Sequence, residues 1–462
     1  MHLGKSAFYF LLIIVSVFGL YLRFIDYATV PSVYETSDEL HYAWGGATLL
    51  KTGVPKSWSW FTIYKNVEQI DRIGIHWDIK SPIVEKPPLY FILSGASVLL
   101  AGSQDLYETD LRLIRILPLF LSFLTIFFVG ILAKKIFNPQ IGLMAALIYA
   151  TTPFIVLANR MSLTENFLTP TVLLALIILV SANIKNYTAV WLVGLLSAIA
   201  LLTKQIGISL AITAGIFYLI KRGFKNVFII SGFAALASVI YLLFAYSYDG
   251  NLFWLSQQVF REASALAGLP EVFVSIFRNL TISIKSKQFV DSTVLVGYIL
   301  LFSAPLWLLK SSSKDKSHNY ELLTTNSELL LLFPFIYLTL FALGQSGSTP
   351  YTFWGWYAFP FLPFGVILLA KVLYDLTLNS NLFTSLILGI SLGSSVIQFI
   401  FLALPDGFQK YWQYPFFALL LIFIAIFIKP NFKYQKLFLR LFFCLYLIVN
   451  ILTVFNLKNI YQ

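Results

Sequence analysis

The stretch SAFYFLLIIVSVFGLYLRF, residues 6–24, decides the fold class because it is apolar over nearly its whole length. A bilayer core takes about 20 apolar residues of helix per crossing, and lipid offers no partner to unpaired backbone groups. Comparable segments recur along the chain, whose mean hydropathy is +0.81 and whose hydrophobic residues make up 58%. The sequence therefore predicts an all-α polytopic membrane protein and excludes an ordinary soluble one.

The distribution of Lys and Arg predicts how many apolar segments cross the membrane. The segments cover approximately residues 6–24, 88–102, 113–133, 141–158, 167–183, 188–203, 206–220, 227–246, 292–309, 328–344, 355–373, 382–404, 415–429 and 437–456. If the short, proline-initiated segment 88–102 lies along the surface, the basic clusters share one side with Lys5, as the positive-inside rule requires. These clusters are Lys134-Lys135, Lys185, Lys221 to Lys225, Lys310 to Lys316 and Lys429 to Arg440. We therefore predict about 13 transmembrane helices, with the N-terminus cytoplasmic and the C-terminus outside.

This topology leaves two long extracytoplasmic loops in one membrane-embedded domain, residues 1–462. The first loop covers 25–111 and includes interfacial helices, and the second covers 247–290, with an amphipathic helix expected around Phe253 to Phe277. The first span is expected to stay uncleaved, since no small-residue cleavage site precedes Arg23. Most basic residues lie in loops, where they set orientation, so the net charge of +11 does not indicate nucleic-acid binding.

Three acids within five residues, Glu35, Asp38 and Glu39, stand out in a chain with 11% charged residues. With His41 nearby, Asp38 and Glu39 could supply a general base, metal ligands or both. The alternative is structural: Ser37 or Asp38 would cap a short helix. The two interpretations are compatible.

A second group is Glu85-Lys86, directly before Pro87-Pro88. Lys86 suits an anionic phosphate, and Glu85 would place another carboxylate beside it. The alternative is a snorkelling lysine at the start of a proline-initiated helix.

Three more groups fall on the same outer side of the predicted topology. Arg160 and Glu165 lie between two crossings, where an interfacial salt bridge is the simple explanation. Lys204 ends a crossing, either as an anchor or as a point charge for phosphate. Residues 354–357, Trp-Gly-Trp-Tyr, fit either an interfacial aromatic belt or a ligand-binding wall.

Several classes of membrane protein lack their expected signals here. The sequence contains no G-x-x-x-x-G-K-[ST] loop for nucleotide-driven transport and no Cys/His zinc spacing. Acids are nearly absent from the middles of the spans, which argues against a proton relay. Chemistry at the outer surface would need an energised substrate that is delivered within the lipid.

The order of these motifs resembles the GT-C superfamily of membrane glycosyltransferases, most closely the branch of the protein O-mannosyltransferases and the lipid A aminoarabinose transferase. The motifs are Asp-Glu after the first span, Glu-Lys-Pro-Pro-Leu-Tyr at 85–90, Arg-x-x-x-x-Glu at 160–165, Leu-Thr-Lys at 202–204 and Tyr-x-x-Pro-x-x-Pro at 357–363. The resemblance covers residues 1–225 well and is thinner up to the motif near 355–365. It implies a GT-C fold and the transfer of a sugar from a polyprenyl-phosphate donor to an acceptor hydroxyl.

The resemblance also implies roles for particular residues. Asp38 would be the catalytic base, with Glu39 as a supporting acid. Lys86 and Lys204, joined by Arg160, would bind the donor phosphate. Glu85 and Glu165 would shape the site, and Asp38 and Glu165 are candidate ligands for a divalent metal ion. Tyr357 would line the donor pocket, and Arg115 matches an arginine that opens the second crossing in the family.

The chain departs from the family at three points. Glu165 stands where the aminoarabinose branch has Asp, Trp356 stands where an Arg often precedes the Tyr, and the large soluble domain of some mannosyltransferases is missing. The acceptor, a glycan, a lipid or a protein, stays open. The expected location is the plasma (inner) membrane, with the active site on the extracytoplasmic face. The alternatives are a lipid-linked glycan ligase or polymerase and a lipid or glycan transporter.

Overall fold

The computed structural model describes residues 4–35, 37–181, 186–263, 291–311, 328–344, 355–378, 382–404 and 435–460, with scattered residues between 411 and 421. Helices dominate these residues. The first twelve are α1 Lys5–Phe24, α2 Asp38–Thr52, α3 Pro88–Leu100, α4 Leu111–Ile114, α5 Ile116–Ile136, α6 Pro139–Thr151, α7 Pro153–Ala158, α8 Thr164–Ser181, α9 Tyr187–Thr203, α10 Ile208–Ile220, α11 Phe224–Tyr248 and α12 Gly250–Ala263. The later ones are α13 Ser292–Ser311, α14 Leu329–Gly344, α15 Leu362–Leu378, α16 Leu382–Ala403 and α17 Gln435–Phe455. Three 3-10 helices cover Gln205–Gly207, Gly355–Phe361 and Leu457–Ile460.

Seven helices in this part of the chain are long and apolar enough to cross a bilayer, and six shorter apolar helices accompany them. The chain is therefore an integral membrane protein of predominantly helical fold, as predicted. The count of 13 crossings stays a prediction. Several features it rests on lie outside the described residues: Lys185, residues 312–316, Lys429 and most of segment 415–429. Trp354 and residues 264–290 of the second loop lie outside them too.

Prolines divide some of the predicted crossings. Segment 141–158 forms two helices, α6 and α7, because Pro153 begins a new helix and cannot continue the old one.

The segment predicted to lie along the surface is α3, which is 13 residues long. At 1.5 Å per residue it is about 20 Å long, too short for a bilayer core of about 30 Å.

Two helices of the first loop pack backbone to backbone. A Cβ at Gly46 in α2 would lie 1.8 Å from the carbonyl oxygen of Phe91 in α3, and one at Gly95 would lie 2.2 Å from the carbonyl carbon of Gly46. This close approach requires glycine on both helices. It fixes the acid cluster of α2 against the start of α3, where Glu85 and Lys86 lie.

Between these helices the first loop forms a three-stranded antiparallel sheet, which the sequence pattern does not predict. The strands are β1 Ser57–Trp58, β2 Asn66–Arg72 and β3 Ile75–Ser81, in the order β1-β3-β2. Ile73 and Gly74 join β2 to β3, both with positive φ, as a tight two-residue hairpin turn requires. An all-α description therefore holds for the membrane-embedded part and omits this small sheet.

Candidate active site

The helix that begins at Asp38 carries the acid cluster. Ser37 precedes its first residue, as the capping interpretation predicts, although the Ser37 side chain makes no capping hydrogen bond. Asp38 and Glu39 lie in the first turn, where the helix dipole favours carboxylates. Neighbouring helical residues point about 100° apart, so these two acids face different surroundings.

Glu39 faces the protein interior. Its carboxylate accepts two hydrogen bonds from Arg115, Nε at 2.9 Å and Nη2 at 2.6 Å, and both side chains are 0% exposed. The same carboxylate accepts the backbone N–H of Ser162 at 2.8 Å, and Arg115 also donates to the carbonyl of Tyr27 at 2.7 Å. Both oxygens of Glu39 are thus engaged. In this geometry Glu39 holds three segments together, and its role as a supporting catalytic acid stays a prediction.

Glu85 and Lys86 are held by other residues of the first loop and by α12. The buried carboxylate of Glu85 accepts hydrogen bonds from the hydroxyls of Tyr64 and Ser59. Its backbone carbonyl accepts the amide of Gln257, on α12, at 3.1 Å. The ammonium of Lys86 lies over the ring of Tyr42, 4.7 Å from the ring centroid.

Glu165 and Lys204 form an ion pair between the start of α8 and the end of α9. Glu165 is 1% exposed, and its second oxygen accepts the hydroxyl of Thr164 at 2.8 Å. The Lys204 ammonium also lies over the ring of Tyr357, 4.2 Å from its centroid. Three residues singled out from sequence, Glu165, Lys204 and Tyr357, therefore meet in one place.

Arg160 does not join them. Its guanidinium is fully buried and donates to the backbone carbonyls of Arg23 at 3.2 Å, Val30 at 3.1 Å and Leu22 at 3.1 Å. All three nitrogens are directed at the end of α1 and the segment after it. This arginine therefore ties the first span to the loop before α8, and its role in phosphate binding stays a prediction.

The acids that remain surround Tyr42, one helical turn after Asp38. Burial raises the pKa of the Tyr42 phenol well above its usual value, and the negative charges of Asp38, Glu165 and Glu85 raise it further. Beside it, burial and the charge of Lys86 lower the pKa of His41 well below 6.5. The structure thus brings together Asp38, Glu85, Lys86, Glu165, Lys204 and Tyr357 of the predicted set.

These carboxylates do not form a metal site in the residues that the structure describes. No group of three or more His, Cys, Asp and Glu there is arranged to hold an ion. The candidate pair was Asp38 and Glu165, but Glu165 is already paired with Lys204 and Thr164. Among the described residues, the donor set therefore does not fit a divalent metal.

Sequence reasoning missed Tyr42, Thr164 and Tyr64 as members of this cluster. Tyr42 was accessible in principle, since it lies four residues after Asp38 and shares its helical face. Tyr64 meets Glu85 across the loop sheet, and no local spacing indicates that contact.

Comparisons with known proteins give a family match over part of the chain and a shared fold. Residues 85–254 match the family model described as dolichyl-phosphate-mannose-protein mannosyltransferase. No curated protein sequence matches the chain significantly. The match contains Glu85, Lys86, Glu165 and Lys204, and so covers a large part of the cluster around Tyr42.

Solved structures share the fold. ArnT from Cupriavidus metallidurans bound to undecaprenyl phosphate matches with a TM-score of 0.58 and 14% identity, covering 99% of this chain and 77% of that one. The apo state of the same protein gives 0.53 and 15%, covering 98% and 76%. The Archaeoglobus fulgidus oligosaccharyltransferase in the apo form gives 0.50 and 12%, covering 88% of this chain and 60% of that one. These findings confirm the predicted resemblance: residues 85–254 are similar to the mannosyltransferase family, and the chain has the fold of ArnT.

Proposed function

We propose that the protein is an extracytoplasmic glycosyltransferase that moves a sugar from a polyprenyl-phosphate donor to an acceptor hydroxyl, in the plasma membrane. The observation that carries the proposal is the convergence of two lysines, Lys86 and Lys204, with three carboxylates around one buried tyrosine. A related fold, ArnT, binds undecaprenyl phosphate, which supports a lipid phosphate as the leaving group.

The roles follow from the chemistry of the displacement. As the bond between the anomeric carbon and the phosphate oxygen breaks, negative charge grows on the phosphate, and Lys86 and Lys204 stabilise it. Asp38 accepts the proton of the attacking acceptor hydroxyl, while the oxygen of that hydroxyl forms the new glycosidic bond. A single in-line displacement would invert the anomeric centre. The acceptor is a hydroxyl of a glycan, a lipid or a protein.

The test of the base uses membranes that contain the full chain and radiolabelled undecaprenyl-phosphate sugars. Asp38→Asn is expected to lower transfer by about 100-fold or more, the usual contribution of a positioned general base. Asp71→Asn is the matched control, because Asp71 is a 75% exposed acid of the same loop. Transfer by Asp38→Asn at the wild-type rate would refute the assignment.

The phosphate-binding role has its own measurement. Lys204→Ala is expected to raise the donor KM by about tenfold, the effect of losing one charge-assisted contact. An unchanged donor KM would remove Lys204 from the donor site.

A further inference from the structure

Two side-chain amides join the residues next to the two lysines. Gln205, directly after Lys204, donates from its Nε2 to the Oε1 of Gln257 on α12, at 2.8 Å. Gln257 in turn donates from its own Nε2 to the backbone carbonyl of Glu85, at 3.1 Å. Glu85 directly precedes Lys86. This path therefore connects the segment of one lysine to the segment of the other, although the two lie far apart in the sequence.

A parallel path runs through Tyr241 of α11. The Nε2 of Gln205 lies 3.0 Å from the Tyr241 hydroxyl, which donates to the backbone carbonyl of Val84 at 3.3 Å. Val84, Tyr241 and Phe253 belong to one small buried cluster, in which the two aromatic rings meet edge to face with centroids 5.4 Å apart. The two paths therefore end on consecutive carbonyls, those of Val84 and Glu85, against which α11 and α12 are packed.

The direction of these hydrogen bonds is fixed by proton counting. A backbone carbonyl can only accept, so the amide nitrogen of Gln257 and the hydroxyl of Tyr241 must each donate to the carbonyl they face. Their remaining acceptors, an amide oxygen and a hydroxyl oxygen, receive the two protons on the Nε2 of Gln205. A third contact of that nitrogen, with the Glu85 carbonyl at 3.5 Å, is the longest of the three.

Gln205 shares a tight turn with Lys204. Lys204 follows the last residue of α9, and its carbonyl accepts the N–H of Gly207 at 2.7 Å. A Cβ at Gly207 would lie 2.1 Å from the carbonyl oxygen of Ala200, so the turn packs directly on the backbone of α9. Hydrogen bonds that hold the side chain of Gln205 therefore also limit where the backbone of Lys204 lies.

We propose that the amide pair of Gln205 and Gln257 is a positioning clasp: it sets the spacing of the two lysines so that both ammonium groups reach one donor phosphate. This inference rests on the proposed function. Charges that are already in place need no reorganisation when negative charge develops on the phosphate. Packing of α12 against the first loop needs apolar side chains such as Phe253, and would not need two amides directed at each other and at a carbonyl.

The first experiment measures binding of undecaprenyl phosphate to the purified full-length protein in nanodiscs. Gln257→Leu keeps the approximate size of the side chain and removes both hydrogen bonds, so we expect binding to weaken about fivefold. Once Lys204→Ala has removed one of the two ammonium groups, no spacing remains to be set. Adding Gln257→Leu to that variant should then weaken binding by less than about twofold.

Gln69→Leu is the matched control, because it makes the same change at an exposed glutamine of β2. Its binding should stay within about twofold of wild type. Equal losses for Gln257→Leu with and without Lys204 would overturn the clasp, because they would show a structural effect that does not depend on the second lysine.

The second experiment needs no lipid. Trace acetylation with acetic anhydride, followed by mass spectrometry, compares Lys86 with the exposed Lys51 as an internal reference. Gln257→Leu releases the carbonyl of Glu85, so Lys86 should leave the ring of Tyr42 more often and its relative reactivity should rise about threefold. The Gln69→Leu control should keep the wild-type ratio.

The two experiments separate the inference from the proposed function. Unchanged Lys86 reactivity in Gln257→Leu would overturn the clasp, whatever lipid the protein binds. Wild-type protein that failed to bind undecaprenyl phosphate would instead overturn the proposed donor, and the reactivity of Lys86 would still decide the clasp.

Discussion

The adjacent acids Asp38 and Glu39 should give opposite phenotypes when each is neutralised. Glu39→Gln keeps the shape of the side chain but removes the charge that faces Arg115. The guanidinium would then stay buried at 0% exposure without its counter-charge. Asp38→Asn removes a charge from the proposed reaction site and leaves the Glu39–Arg115 pair intact.

The magnitude follows from the burial of the pair. Removing one partner of a fully buried, hydrogen-bonded ion pair destabilises a protein by about 3–5 kcal/mol, because the remaining charge is uncompensated. Glu39 also accepts the N–H of Ser162, so the loop before α8 loses part of its anchor. We therefore expect Glu39→Gln to lower the apparent Tm by many degrees, and Asp38→Asn to cost no more than about 1 kcal/mol, the worth of a first-turn carboxylate at the helix dipole.

The assay is thermal unfolding in detergent, run beside sugar transfer on the same preparations. A double variant, Glu39→Met with Arg115→Met, serves as the control for charge. Replacing both members of a buried pair by apolar groups is far less destabilising than removing one. We expect the double variant to regain at least about 1 kcal/mol relative to Glu39→Met.

Two combinations of Tm and transfer results would refute the roles assigned to Glu39 and Asp38. If Glu39→Gln keeps the wild-type Tm but loses transfer, Glu39 acts on the substrate and its pairing with Arg115 is incidental. If both single variants unfold at the wild-type temperature and transfer normally, the acid cluster has no role in either folding or catalysis.

Three further predictions concern the neighbourhood of the site and can be checked by Tm measurements. His41 stays neutral in the fold because its pKa is held well below 6.5, so stability should fall as the pH drops below 6.5, by at most about 1.4 kcal/mol per unit. His41→Asn should remove that slope, and an identical slope in the variant would contradict the argument. Gly46→Ala places a methyl group 1.8 Å from a backbone oxygen of α3 and should cost about 3 kcal/mol, whereas Gly215→Ala, with nothing within 4 Å, should not lower the Tm. Tyr337→Phe should raise stability by about 1 kcal/mol, because its buried hydroxyl has no hydrogen-bond partner in the described part of the chain; a lower Tm would show that the hydroxyl is used.

The sequence predicted the helices because a long apolar segment in a bilayer must pair its backbone N–H and C=O groups within itself, as a helix does. It did not predict the loop sheet, since the side chains of β2, from Asn66 to Arg72, are mostly exposed and show no regular alternation of polar and apolar residues. Pairing with β3, rather than local pattern, makes that strand.

The sequence predicted which types of residue form the candidate site, but only partly which individual residues lie in it. Lys204 and Arg160 looked alike in sequence, as single cations on the same predicted side. The fold separates them through burial: Lys204 is 23% exposed and Arg160 is 0% exposed. Asp38 and Glu39 looked like one acidic group, and helical rotation sends one toward Tyr42 and the other toward Arg115. Tertiary contacts separate Lys204 from Arg160 and Asp38 from Glu39. The spacing of residues in the sequence does not predict those contacts.

The contacts of the cations around the site differ by residue type, which supports the lysines rather than the arginines as ligands of the proposed donor. Arg115 and Arg160 use all three guanidinium nitrogens on fixed acceptors, because a planar group with five donors matches carboxylates and carbonyls held at set angles. Lys86 and Lys204 lie instead over tyrosine rings, at 4.7 Å and 4.2 Å, and Lys204 also keeps one ion pair, with Glu165. A ring attracts an ammonium without fixing its three donors in one direction. Such a cation can turn toward an incoming phosphate while the ring keeps it in place. The tyrosines beneath the lysines therefore matter for phosphate binding as well as the positive charges.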